Sequence, residues 1–257
     1  MAANLTSGSN QSYDPGDGIR IFQGLKPDIV LLQEFRYKNK TRDDLRALVD
    51  EAFGKDFYFA VEPGFIKELP NGIVSRYPIV ESGEWKDRNI SNRDFAWAKI
   101  DIPGDKDLLA VSVHLKAKKS STQKAEAEDL IEFIADDGIR PKYYLVIGGD
   151  FNTKNRSADA IKVLSTVVDT AKPYPVDGNG DPDTNSSRKK PYDAVYVSQD
   201  LEALEIPVKI GSQSFTHGLV FDSRVYSPLD EVSPVKRGDS AAPQMQHMAV
   251  IRDFNIN

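Results

Sequence analysis

The run Tyr143-Tyr144-Leu145-Val146-Ile147-Gly148-Gly149-Asp150-Phe151-Asn152-Thr153 constrains this chain more than any other stretch. A continuous β-branched and aromatic run suits a strand covered on both faces, so something must pack on each side of it. It stops at Gly148 and Gly149, which permit the close backbone packing or unusual φ that a functional strand end requires. It then delivers an Asp and an Asn at i and i+2, which can point to the same side. A carboxylate beside a carboxamide suits a hard cation and an attacking water. The same residue types also make an ordinary Asx turn.

The pattern recurs along the chain. Residues 28–34 form a strong apolar strand ending in Glu34, a carboxylate that is costly there unless paired, solvated or bound to a cation. A strand over 107–115 carries His114 near its end, one over 192–198 carries Asp193 at its beginning, and a closing strand over 245–251 carries His247 near its start. Asn4 follows a very short apolar start and opens a polar loop running to Asn10. Further strands are predicted over 57–61, 72–75, 79–85 and 95–102. Helices are predicted over 18–25, over 41–53 with Thr41 as N-cap and Asp43 and Asp44 in the first turn, over 123–135 with Leu130, Ile131, Phe133 and Ile134 inside, and over 157–168. This order excludes a sandwich made of hairpins only and suits two packed sheets with helices outside.

With 257 residues and 40% hydrophobic composition, the chain can form one large α/β domain spanning 1–257. It has no cysteine, so any metal must be held by oxygen or imidazole. No apolar run is long enough to span a membrane. The abrupt start Met1-Ala2-Ala3-Asn4 and the lack of cysteine are compatible with an extracellular or periplasmic enzyme whose signal peptide has been removed; neither decides it. A net charge of −6 argues against a broad nucleic-acid-coating surface, yet leaves room for a local basic groove. Basic residues concentrate at Arg36 to Arg42, at Lys116 with Lys118 and Lys119, and at Arg188 to Lys190; alone, each reads as a solvated loop. The Gly/Pro/Asn/Asp-rich loop 172–191 includes alternating acids from Asp177 to Asn185. They have a superficial calcium-loop look that Pro182 and the missing terminal Glu weaken, so Ca²⁺ there is the lesser reading.

Asn4, Gln33-Glu34, Asn71 to Ile79, Val113-His114-Leu115, Gly149-Asp150-Phe151-Asn152, Tyr192-Asp193 and the terminal His247, in this order, resemble the endonuclease/exonuclease/phosphatase superfamily of the deoxyribonuclease I and exonuclease III type. The resemblance covers nearly the whole chain. It implies a four-layered α/β sandwich, two packed mixed β-sheets flanked by helices, that hydrolyses phosphate esters with a divalent cation, Mg²⁺ or alternatively Mn²⁺. On this resemblance Glu34 is the principal metal ligand with Asn4 nearby, and Asp150 and Asn152 orient or deprotonate the attacking water. His247, held in its tautomer by Asp193, contacts the scissile phosphate and takes part in proton transfer, and His114 is a second phosphate-binding histidine. Gln246 stands where the family usually has an Asp, which points to one-metal chemistry. His217 matches no motif and reads as a loop histidine.

The basic clusters follow Glu34, follow His114 and precede Asp193, so convergence of these strand ends would gather them into a positive rim. Arg36, Lys116 and Arg188 are the expected substrate contacts, and DNA is the expected substrate, cleaved with little sequence specificity by a monomeric enzyme. The alternatives are a phosphatase or phosphodiesterase acting on small esters or lipid headgroups, and a non-catalytic binding module that keeps the fold.

Overall fold

The computed structural model describes residues 1–6, 16–62, 69–136, 142–243 and 245–256. The far part of the expected polar loop, 7–10, lies outside them. The strands in chain order are β1 (Ala2–Asn4), β2 (Ile29–Gln33), β3 (Tyr58–Val61), β4 (Gly72–Ser75), β5 (Ile79–Trp85), β6 (Phe95–Ile100), β7 (Leu108–His114), β8 (Tyr144–Asp150), β9 (Asp193–Val197), β10 (Glu205–Ile206), β11 (Val208–Ile210), β12 (Gln213–Phe215), β13 (Leu219–Phe221), β14 (Ala249–Ile251) and β15 (Asp253–Phe254). The helices are α1 (Asp17–Leu25), α2 (Arg42–Ala52), α3 (Ser120–Asp136), α4 (Asp159–Leu164) and α5 (Gln199–Glu202).

A six-stranded sheet has the order β13-β14-β1-β2-β4-β3 and a five-stranded sheet the order β5-β6-β7-β8-β9; β10-β15 and β11-β12 form two-stranded ribbons. Both large sheets are mixed: β1 pairs parallel with β2 and β7 parallel with β8, while the other pairings are antiparallel.

The period-two alternation of each strand sorts its side chains between two cores. On β2, Leu31 joins Ala2, Ile73, Ala110, Val146, Val195 and Val250 between the sheets. Its neighbours Val30 and Leu32 face the other way, onto Ile19 and Phe22 of α1 and Leu45, Leu48 and Val49 of α2. On β8, Leu145 and Ile147 pack beneath Ala127, Leu130 and Ile134 of α3 and Ile161 and Leu164 of α4. The result is the expected helix–sheet–sheet–helix sandwich, with the sequence in 143–150 covered on both faces.

The ends of elements differ from expectation in places. The predicted helix 157–168 is α-helical only over Asp159–Leu164, and its last part is turns. The inner side of α3 carries Gln123 and Glu126 with Ala127, Leu130 and Ile134, whereas Ile131 and Phe133 are half-buried. The closing strand is shorter than 245–251: only Ala249–Ile251 is strand, and His247 precedes it. The reason is a partner change, since the backbone at His247 bridges Asn185 in the loop before β9 instead of joining the sheet. Helix α2 begins as expected. The Thr41 hydroxyl accepts from the Asp44 N–H at 3.0 Å, and the Asp44 carboxylate accepts from the Thr41 N–H at 3.2 Å.

Candidate functional site

The expected site residues converge because they share the inward-facing parity of their strands. Asn4 continues the parity of Ala2, Gln33 that of Leu31, His114 that of Ala110, Asp150 that of Val146, and Asp193 that of Val195, all on the faces between the sheets. In the ladders His114 lies opposite Asp150, and Asp150 opposite Asp193. Hydrophobic strand centres hold the sheets together; at this end the same faces carry polar groups.

Close approach is possible because β8 has no side chains there. A Cβ on Gly149, whose φ is +145°, would lie 2.1 Å from the Val113 carbonyl oxygen, and one on Gly148 would lie 2.5 Å from Leu31 Cδ1. Beneath the site Gln33 crosses between sheets: its amide donates to the Ser112 hydroxyl at 2.9 Å, and Ser112 donates to the Leu32 carbonyl at 2.7 Å. Glu34 and Asn152 both adopt left-handed backbone, with φ of 56° and 52°. Strain of about 1 kcal/mol at each is the order expected for residues bearing a Cβ, and such strain gathers at functional strand ends.

Asp150 is the centre of the arrangement. Its Oδ2 accepts from Asn4 Nδ2 at 3.2 Å and Asn152 Nδ2 at 3.0 Å, and lies 3.3 Å from His114 Nε2 and 3.6 Å from His247 Nε2. Its Oδ1 accepts from the Asn152 N–H at 2.8 Å. The opposite ring nitrogen of His247, Nδ1, is 3.0 Å from Asp193 Oδ2. Burial raises Asp150 to about 7, with Asp193 adding to the rise and the His247 charge opposing it. Burial works against a charge on His247, but Asp193 and Asp150 overcome it and lift the imidazole to about 9. His114 moves the other way: burial, then the charges of Arg93 and His247, hold it well below the ordinary histidine value. His114 is therefore neutral, and His247 is cationic at neutral pH.

The donor set fits a hard divalent cation. Glu34, buried at the end of β2, is next to Asn4 through the Asn4–Gln33 pairing of β1 and β2. The Asn4 carboxamide oxygen accepts from the Thr6 N–H at 2.7 Å, which leaves its second lone pair for a cation. All these donors are oxygen, as Mg²⁺ prefers. One ligand atom from each of Asp150, Asp193 and His247 also lies within 4.8 Å of the other two, a group that could hold a metal ion, with His247 Nδ1 already hydrogen-bonded to Asp193. A second acid group, Glu62, Glu84 and Asp94, is shared with Lys86, which bonds both Glu84 and Asp94.

The expected substrate contacts divide. Arg36 lies two residues after Glu34 and is half-buried, and Lys116 follows β7 with its N–H on the Glu126 carboxylate at 2.9 Å. Arg188 is drawn away from the site. Its guanidinium reaches Asp177 at 3.0 Å, Asp222 at 3.0 Å and Asp181 at 3.5 Å, and its Nε donates to the Asp183 carbonyl at 2.6 Å. The acids that gave loop 177–185 its calcium-loop look are thus neutralised by this guanidinium and by the loop's own N–H groups, as Asp177 Oδ1 accepts from Asn179 and Asp181. Of the same basic cluster, Lys190 faces the Tyr192 ring, 5.7 Å from its centroid, and that ring stands 6.1 Å from His247. Gln246 is exposed, and its carbonyl accepts from the Ser186 N–H at 2.9 Å. His217 lies 3.9 Å from Glu205, away from the site.

Sequence reasoning missed three polar residues behind the site. Arg93, 4% exposed, donates through Nη2 to the Leu115 carbonyl at 3.0 Å and through Nε to the His114 carbonyl. Gln123 donates to the carbonyls of Lys116 and Asn152 at 2.8 and 2.9 Å, so one side chain ties the turns after β7 and β8. Glu126 closes the same turn from the Lys116 N–H, and burial, reinforced by Asp87, raises its carboxyl to about 8. The signal was present at 123 and 126, two polar residues on the apolar side of a helix; Arg93 gave none.

No curated protein sequence matches the chain. Solved structures do. The endonuclease/exonuclease/phosphatase from Bacteroides vulgatus superposes with a TM-score of 0.65 at 16% identity, over 100% of this chain and 97% of its own. A family protein from Leptotrichia buccalis gives 0.61 at 17%, over 99% and 98%. Sphingomyelinase C from Streptomyces griseocarneus gives 0.56 at 15%, over 84% and 94%. The family model Endonuclease/Exonuclease/phosphatase matches residues 13–215, a span that includes Glu34, His114, Asp150, Asn152 and Asp193. With the sandwich, the converged strand ends and this match all in agreement, the chain belongs to the endonuclease/exonuclease/phosphatase family of metal-dependent phosphoesterases.

Proposed function

We propose that this protein is a divalent-metal-dependent phosphodiesterase, and that its substrate is DNA, cleaved with little sequence specificity. The observation that carries the chemistry is the pair His247–Asp193 at 3.0 Å, with Asp150 3.6 Å from the free face of the same imidazole. Glu34 and Asn4 would hold the cation, which supplies charge neutralisation at the nonbridging phosphate oxygens.

The chain's own groups then have separate tasks. Asp150, near neutrality in its proton affinity, accepts the proton of the attacking water, and Asn152 fixes the carboxylate through two hydrogen bonds. His247 is charged at the pH where Asp150 ionises. It contacts the phosphate and donates its Nε2 proton to the leaving oxygen, while Asp193 holds Nδ1. His114, neutral with Nε2 toward Asp150, offers an uncharged hydrogen bond to a nonbridging oxygen. Gln246 cannot supply the charge of an acid, which favours a single cation.

The choice of DNA rests on charge. Arg36, Lys116 and Lys190 stand beside the three strand ends that carry Glu34, His114 and Asp193, a cationic border on an acidic protein. Among the described residues the large exposed apolar side chains are Tyr58, Val80 and Ile206, all at the opposite ends of the sheets. A lipid-headgroup phosphodiesterase is the second reading, favoured by the structural likeness to sphingomyelinase C. Supercoiled plasmid, sphingomyelin vesicles, a generic phosphodiester and a phosphomonoester, each with Mg²⁺, Mn²⁺ or a chelator, separate the two. Metal-dependent nicking supports the nuclease; release of phosphocholine without nicking moves the substrate to lipid.

A further inference from the structure

The loop that resembles a calcium site in sequence makes contacts of another kind. Asp193 and His247 come from distant parts of the chain, and one short segment of this loop, 184–186, touches the backbone of each. The Thr184 hydroxyl accepts the Asp193 N–H at 2.8 Å, and Thr184 is buried. On the other side the segment forms a small antiparallel ladder around the histidine. Asn185 bridges His247, the Met248 N–H donates to the Thr184 carbonyl at 2.7 Å, and the Ser186 N–H donates to the Gln246 carbonyl at 2.9 Å. Thr184 is thus bonded through its side chain to one member of the pair and through its carbonyl to the residue after the other.

The loop itself is held from behind. Arg188 joins Asp177, Asp181 and the Asp183 carbonyl within the loop to Asp222, just beyond β13. Asn185 Oδ1 accepts the N–H groups of Lys189 and Lys190, closing the turn that returns to β9. A side chain with one lone pair on the N–H of Asp193, in a loop this restrained, can hold the separation of acid and imidazole to within about a few tenths of an ångström.

We infer that Thr184 is a positioning residue that aligns Asp193 with His247. The inference rests on the proton-transfer reading of that pair. It assigns loop 177–190 the role of a brace and places Arg188 in that brace.

The test compares Thr184→Val, which keeps the shape and removes the acceptor, with Thr184→Ser, which keeps the hydroxyl. Thr184→Ala replaces the valine variant should that fail to fold. Turnover of a generic phosphodiester is measured, and in the same proteins without metal the Nδ1 proton of His247 is followed by NMR, a readout independent of catalysis. With only three histidines in the chain, assignment is direct. The valine variant should lose roughly 10- to 100-fold in kcat with KM within about twofold, and should lose or broaden the downfield Nδ1 proton resonance. Serine should retain both. A resonance unchanged in Thr184→Val overturns the inference whatever happens to turnover, as does a serine variant as impaired as the valine. Wild-type protein inactive on every phosphodiester would defeat the functional reading, while the resonance would still decide the role of Thr184.

Discussion

Asp150 and His247 illustrate how neighbouring buried groups divide proton affinity. Burial lifts the carboxyl toward 7, while two acids, against burial, lift the imidazole toward 9. The proposed mechanism requires Asp150 ionised and His247 protonated, so kcat should rise through about pH 7 and fall through about pH 9, with a bound cation near Asp150 moving the acidic limb lower. Asp193→Asn removes the largest attraction on the imidazolium. It should lower turnover roughly 100-fold or more and shift the alkaline limb downward; a pH–rate profile identical to wild type would remove the pair from the mechanism. The same shift has a stability consequence. Because the folded His247 pKa lies above the unfolded value of 6.5, its charge stabilises the fold fully below about pH 6.5, and this contribution is lost as pH rises through about 9. Urea unfolding of wild type and His247→Gln should therefore show a stability difference that narrows between those limits.

At the scale of elements, strand alternation explains both what was readable and what was not. An apolar strand ending in Glu34, His114 or Asp150 announces its functional end because polar groups are expensive at inward positions, and the glycines of β8 announce close approach. Gly149→Ala should cost about 3 kcal/mol or more of unfolding free energy, since its Cβ would collide with the Val113 carbonyl; Thr41→Ala, at the cap of α2, should cost about 1 kcal/mol and leave turnover unchanged. Denaturant titrations check both. Contacts between distant loops were not readable. Arg188 looked like a substrate contact because a cluster of charge carries no direction in sequence, and its partners Asp177 and Asp222 flank it at long and unequal separations. The closing strand was read too long for a similar reason: residues 245–248 have strand composition, but Asn185, not a sheet neighbour, takes their backbone. Thr184 and Arg93 are single polar residues in loops, without any periodic pattern to mark them.

At the scale of the whole molecule, an acidic chain places Arg36, Lys116 and Lys190 beside the strand ends that carry Glu34, His114 and Asp193. Arg36→Ala or Lys116→Ala should weaken DNA cleavage, flatten its dependence on log salt by about one unit each, and leave turnover of a small phosphodiester nearly unchanged. Equal losses on both substrates would place these residues in the chemistry instead. The central claim, a metal-dependent phosphodiesterase working through His247, is most directly tested by one measurement: turnover of a generic phosphodiester by wild type and His247→Ala, each with Mg²⁺ and with excess chelator. The expected result is activity in wild type with Mg²⁺, abolished by chelator and at least roughly 100-fold lower in the variant. Activity that survives both the chelator and the loss of the imidazole would contradict the account.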